Sequence, residues 1–294
     1  MEIIGTVAQV VAPVFLLAAI GFAWIKAGYE YRIEFVTTLA MTLSVPCLIF
    51  VALMESEVDP DALKSTFMAS VAAYGAVTVA FVILVKLFKL EMRSFLAPLI
   101  FGNTGNLGLP LALFAFGEEG LGHAVIIFAV MAVYSFSVGV WMVSGGGSPL
   151  KAIKEPLVWA TILGAIFMVM GWRTPEWLTN SIRLVGQIAI PIMLITLGVA
   201  LARLRAPTLG RAFVLSTVKY VICIAVAVVI GLMFELGPVA FAVLVVQIAT
   251  PVAVTSYLLA QKYGADADEV AGLVVASTLM SIAVLPLILG FLMA

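Results

Sequence analysis

Apolar stretches of about twenty residues, parted by short polar breaks, recur from one end of the chain to the other. Ten are read: 3–25, 33–54, 65–88, 94–116, 121–143, 156–172, 177–202, 209–234, 238–262 and 269–293. A hydrocarbon core of about 30 Å takes roughly 20 apolar residues per helix, so the pattern predicts an all-α polytopic membrane protein of ten transmembrane helices. The loops are short and leave no room for a soluble domain. The first stretch carries Glu2, lacks a basic segment before it and is too long for a cleavable signal, so it is read as helix 1.

The most linker-like break, Ser144-Gly145-Gly146-Gly147-Ser148-Pro149, lies near the middle. It divides the chain into a first five-helix repeat (1–143), a short cytoplasmic linker (144–155) and a second five-helix repeat (156–294). Five is odd, so the halves insert in opposite senses, which is the condition for an inverted repeat. Val45-Pro46-Cys47 in helix 2 answers to Ile190-Pro191-Ile192 in helix 7. Phe116-Gly117, followed by Glu118 and Glu119, answers to Tyr263-Gly264, followed by Asp266 and Asp268. Lys and Arg support the count. Eleven lie in the loops after odd-numbered helices, and only Lys64, Arg173 and Arg183 lie on the other side. Basic loops stay in the cytoplasm, so both termini are expected on the outer, periplasmic face of the plasma (inner) membrane.

Helices 4 and 9 each carry a polar, helix-breaking patch near mid-span. One is Gly102-Asn103-Thr104-Gly105-Asn106-Leu107-Gly108-Leu109-Pro110; the other is Gln247-Ile248-Ala249-Thr250-Pro251. Lipid offers no partner to freed backbone groups, so such breaks are tolerated only where protein or a wet cavity covers them. A single proline, such as Pro46 or Pro191, reads as a kink or hinge. Two breaks at matching places of opposed halves, with amide side chains at depth, read as a solute site at the repeat interface.

Composition sharpens this. Hydrophobic residues make up 64% of the 294 and charged residues 11%, too few to cover a soluble ball of this size. A water-soluble enzyme and a disordered chain are excluded. Lys and Arg total 15 against 16 Asp and Glu, so no basic field is offered to nucleic acid. Cys47 and Cys223 lie in apolar runs and form no disulfide framework, and with His123 the only histidine no metal site or cofactor is expected. No His or Asp partners a nucleophile at depth, which argues against an intramembrane enzyme.

The second halves of helices 4 and 9 begin with unpaired amides at the positive end of a helix dipole, where an anion binds without a buried cation. Asn103, Thr104, Asn106, Gln247 and Thr250, with Pro251 at the break, form the expected substrate site. Gly102, Gly105, Pro110, Pro46 and Pro191 are the expected crossover and hinge residues. Tyr134 on helix 5 and Ser277 and Ser281 on helix 10 are candidates to line the cavity or to bond helix to helix. Lys219 and Lys86 are expected to snorkel to the interface. His123 and the acidic run Glu55, Glu57, Asp59 and Asp61 read as solvated. No mid-span carboxylate is present, so uniport, proton coupling and sodium coupling all stay open.

On the helix 4 and helix 9 patches, with Val45-Pro46 followed by Phe50 and with Gly198 and Leu201 after Pro191, nearly the whole chain resembles the auxin efflux carrier family. That family includes bacterial members and the plant PIN carriers. The resemblance implies a ten-helix inverted-repeat fold shared with bile-acid-type transporters. Helices 1, 2, 6 and 7 would form a scaffold that often pairs as a homodimer. Helices 3–5 and 8–10 would form a mobile domain whose crossover holds the solute. It implies a secondary carrier of organic anions, auxin in plants and dicarboxylates commonly in bacteria. Plant members have a long central loop and a proline before the crossover Asn; here the linker is short and Gly102 takes that place. Polar plant contacts on helices 2 and 5 are replaced by Ile49 and Ala129. The alternative functions are an ion or solute channel and a membrane sensor that moves nothing.

Overall fold

The computed structural model describes residues 2–145, 156–204 and 209–293, and every regular element among them is helical. Helix α1 (Glu2–Lys26) runs unbroken through Pro13. Helix α2 (Ile33–Leu39) passes through a π-helical turn (Ala40–Ser44) into α3 (Val45–Met54). Pro46 has no N–H for the carbonyl of Thr42, and the widened turn that contains Thr42 absorbs that loss. Helix α4 (Pro60–Leu87) starts five residues before the expected position. The Asp59 carboxylate accepts from the Asp61 N–H at 2.9 Å, and Pro60 fits the first turn, so the polar lead-in is already helical.

Helix α5 (Met92–Ile100) stops at an extended segment, 101–103, and a π-helical turn (Thr104–Gly108) leads into α6 (Leu109–Tyr134). A third π turn (Ser135–Gly139) joins α6 to α7 (Val140–Ser144). A straight Thr104–Ser144 would reach about 60 Å, twice a bilayer core. Gly117 prevents that, with φ +62° and ψ −154°, a conformation open essentially to glycine alone. The chain doubles back there. Phe101 meets Tyr134 edge-on with ring centroids 5.3 Å apart, and a Cβ on Gly105 would lie 3.0 Å from Phe128. The pairs 101/134 and 105/128 define an antiparallel hairpin turning at Gly117.

Helix α8 (Pro156–Met170) is followed by α9 (Glu176–Gln187), α10 (Ala189–Arg203) and α11 (Leu209–Met233). The break between α9 and α10 lies where Pro191 cannot donate to the carbonyl of Gln187. Helices α12 (Pro238–Ile248) and α13 (Val254–Tyr263) are two pieces of the expected span 238–262, separated by 249–253. Helix α14 (Ala267–Leu292) ends the described chain. Its cap is Asp266, which accepts from the Glu269 N–H at 3.1 Å. Among the described residues, seven helical stretches are long and apolar enough to cross a membrane, Thr104–Ser144 counted as one. Pro156–Met170 and Pro238–Ile248 are apolar but shorter. Leu16, Phe35, Val79, Ile83 and Leu232 face outward, as lipid-solvated side chains do. The protein is a multi-pass membrane protein.

Helix α1 packs along α10, and α3 lies between α8 and α9. A methyl at Gly198 would collide with the Ala18 carbonyl and one at Gly21 with the Ile195 carbonyl, so α1 and α10 meet backbone to backbone. Helices α4, α6, α11, α12 and α14 pack mainly against one another. Most of the expected linker, 146–155, lies outside the described residues, as do Lys151, Lys154 and Arg205 of the charge count.

Two polar residues sit elsewhere than expected. Lys219 does not snorkel. It lies two residues from the middle of α11 and is 1% exposed, with the Cys223 Sγ 3.8 Å from its Nζ. It stands on the stripe of α11 that carries Ser216, Tyr220 and Cys223, and that stripe faces inward. His123 is not solvated either. It is 2% exposed and bonded to Thr66 across the α4–α6 contact.

Candidate functional site

The two interrupted stretches cross in antiparallel fashion at Gly102 and Val252. The Asn103 N–H donates to the Pro251 carbonyl at 2.7 Å, and the Ala253 N–H donates to the Phe101 carbonyl at 3.3 Å. Backbone groups freed by one break are thus satisfied by the other, the solution that a low-dielectric interior demands. The Val252 N–H donates to Ser277 Oγ at 3.0 Å, and Tyr220 Oη donates to the Ser277 carbonyl at 2.8 Å. Helix α14 therefore pins the crossing from one side and α11 braces α14.

Glycines set how close the two pieces come. A methyl at Gly102 would collide with Thr250 Oγ1, and one at Gly108 would collide with the Gln247 amide. Gly105 faces Phe128 and Met193, so α10 also reaches this point. Pro110 is buried in the first turn of α6, and the carbonyl four residues before it, Asn106, lies in the π turn. Pro251 is buried beside the crossing bond.

The polar side chains differ in how they are engaged. Asn103 Nδ2, Thr104 Oγ1 and both amide atoms of Gln247 are buried and have no hydrogen-bond partner. The Thr250 hydroxyl is committed locally, donating to the Gln247 carbonyl at 2.7 Å. Asn106 is half-buried. In the π turn the first N–H to find a backbone partner is that of Leu107, bonded to the Asn103 carbonyl, which leaves the amides of residues 104–106 at the helix start. Helix α13 starts at Val254 just beyond the other crossing bond. Two helix starts and three side chains with unpartnered buried atoms, with no cation beside them among the described residues, make a site that favours negative charge.

Of the candidate cavity residues, Tyr134 Oη meets Thr78 Oγ1 at 3.0 Å, Ser277 holds the crossing, and Ser281 Oγ donates to the Thr278 carbonyl at 2.6 Å. None of the three borders the large cavity, which measures about 1360 Å³. That cavity opens between α3, α9 and α10 on one side and α6 and α12 on the other. Pro191 lines it, while Pro46, Asn103, Thr104, Gln247 and Thr250 do not. Glu55, Glu57, Asp59, Glu118, Glu119 and Glu235 border it, against Arg183 as its one basic residue. Arg183 is paired with Glu55 at 2.5 Å. His123 lines the cavity too. From the sequence His123, Glu55, Glu57 and Asp59 read as solvated, and nothing in the pattern foretold that they border one cavity with Glu118 and Glu119.

The chain matches a family described as "Membrane transport protein" over residues 6–151 and again over 140–289. It is 30% identical over 192 residues to an uncharacterized transporter of Methanothermobacter thermautotrophicus, an alignment that spans 63% of each chain. A second relative, an uncharacterized transporter of Methanocaldococcus jannaschii, is 24% identical across 95% of this chain and 96% of its own. A third, a provisionally named malonate transporter of Rhizobium meliloti, is 23% identical across 84% of this chain and 82% of its own.

Proposed function

The chain belongs to the membrane transport protein (auxin efflux carrier) family, and on that premise we propose that it is a secondary carrier of a small organic anion. The anion is a carboxylate, held where the two broken helices cross and moved across the plasma membrane by alternating access. In this reading the helical stretches make ten traverses in two opposed halves of five, with both termini outside. Helices α1–α3 and α8–α10 are the fixed scaffold, through which two copies pair. Helices α4–α7 and α11–α14 are the moving part.

The observation that carries the proposal is the set of unpartnered buried atoms at the crossing, Asn103 Nδ2, Thr104 Oγ1 and the Gln247 amide, beside two helix starts. A buried polar group left unpaired costs about 1–3 kcal/mol. Three such side chains around one point favour a ligand that accepts hydrogen bonds and carries negative charge. The relative named for malonate is why short dicarboxylates are the first solutes to try.

The experiment is uptake of radiolabelled malonate and a panel of mono- and dicarboxylates into liposomes containing the purified protein, alongside Asn103→Ala. Saturable uptake that Asn103→Ala weakens supports the reading. Uptake that stays linear with concentration and is unchanged in Asn103→Ala refutes it.

A further inference from the structure

The rim of the large cavity has the wrong sign for the solute proposed above. Six carboxylates border it and the one guanidinium is already paired with Glu55. A cleft walled by one sign of charge raises the local concentration of the opposite ion. This mouth gathers cations. Behind the carboxylates, the wall of the cavity holds the only histidine of the chain, His123, on the returning leg of the Gly117 hairpin.

The bonding of Thr66 fixes what that histidine presents. Thr66 Oγ1 lies 3.0 Å from the Ala62 carbonyl and 2.8 Å from His123 Nδ1. A hydroxyl has one hydrogen, and a carbonyl oxygen only accepts. Both contacts are hydrogen bonds only when Thr66 donates to Ala62 and His123 Nδ1–H donates to Thr66. The neutral imidazole then carries its lone pair on Nε2. Nδ1 being tied to α4, Nε2 is the atom left to receive a proton from the cavity that the ring lines. The groups facing this wall are Glu118 and Glu119 on the same leg, Glu55, Glu57 and Asp59 on the α3–α4 connection, Glu235 before α12, and Arg183 on α9. Lys64, two residues from Thr66 on α4, is exposed and does not line the cavity.

We infer that His123 is the proton-binding site of a proton-coupled carrier, loaded from the carboxylate-rimmed cavity. A hydronium ion in the cavity gives a proton to Nε2 and is left as water, the neutral imidazole becomes imidazolium, and the same N–H bond later breaks to pass the proton to water on the opposite side, which restores the neutral ring. The positive ring offsets one charge of an anion that passes it. The coupling role rests on the carrier reading above; the protonation site does not.

Two measurements separate those claims. Imidazole nitrogen NMR of the ¹⁵N-histidine-labelled protein in lipid contains one side-chain signal set, that of His123. The expected result is the Nδ1–H tautomer at alkaline pH, converting to the doubly protonated ring on acidification, with Thr66→Val losing the tautomer preference. In liposomes, an inward proton gradient should raise malonate uptake several-fold for the unaltered protein and not for His123→Gln, each checked by its elution profile. A ring signal unchanged between alkaline and acidic pH overturns the inference. So does a gradient response that His123→Gln retains, or none in the unaltered protein while malonate is carried. A ring that titrates in a protein carrying none of the acids tested overturns the carrier reading and leaves the proton site standing.

Discussion

Gly102 and Thr250 face each other across the crossing so closely that a methyl on Gly102 would overlap Thr250 Oγ1. The two positions therefore answer for one another. Gly102→Ala should abolish uptake while the protein still reaches the membrane. Gly102→Ala combined with Thr250→Ala removes the overlapping oxygen and should recover part of the uptake. Uptake by the two variants in liposomes checks this; equal loss in both would show that the contact is not the constraint.

Asn103 and Thr250 should differ in their effect on affinity. Asn103 Nδ2 is buried without a partner, whereas the Thr250 hydroxyl already donates to the Gln247 carbonyl. A hydrogen bond to a charged group is worth about 1.5–3 kcal/mol, or roughly ten- to hundredfold in binding. Asn103→Ala and Gln247→Ala should each weaken solute affinity by about that factor. Thr250→Val should weaken it by less than about threefold, since its donor is spent within its own turn. Concentration dependence of uptake distinguishes the two classes.

Gly198 should be among the least replaceable residues outside the crossing. Its Cβ would strike the Ala18 carbonyl, and backbone has no rotamer with which to yield. Gly198→Ala should lower the midpoint of thermal unfolding in detergent by several degrees, a cost of about 1–3 kcal/mol for overpacking. Gly5, with nothing within 4 Å of a built Cβ on the same pair of helices, serves as the control and should tolerate alanine.

Lys219 should be a liability for stability. The residue is 1% exposed, and the neighbour bonded to its Nζ is a thiol. Burying a charge without an ionic partner is costly, and an apolar residue of similar length removes that cost. Lys219→Met should raise the unfolding midpoint, and Lys219→Glu should sharply reduce the amount of folded protein. Fluorescence-detected size exclusion after heating measures both.

The long helices were legible because a bilayer imposes one length on every apolar run, and α1, α4, α11 and α14 follow the runs within a few residues. The breaks in helices 4 and 9 were legible because glycine and proline act locally on the backbone. Their meeting was not, since Asn103 and Pro251 are far apart in sequence and nothing local encodes their hydrogen bond. Lys219 and His123 escaped for a related reason. Hydropathy ranks a residue by its own chemistry, while its burial is decided by which neighbours the tertiary packing brings. Ser277 read as a candidate to line a cavity or to bond helix to helix; the structure gives it a backbone amide to hold, which only the crossing creates.

Two hydrogen bonds, Asn103 to Pro251 and Ala253 to Phe101, rivet the interrupted stretches to each other. Neither stretch can slide lengthwise without shearing those bonds among buried residues. A displacement that preserves the rivet must therefore carry both half-helix pairs together as one shuttle. Its cargo would travel with the fastening instead of passing through it.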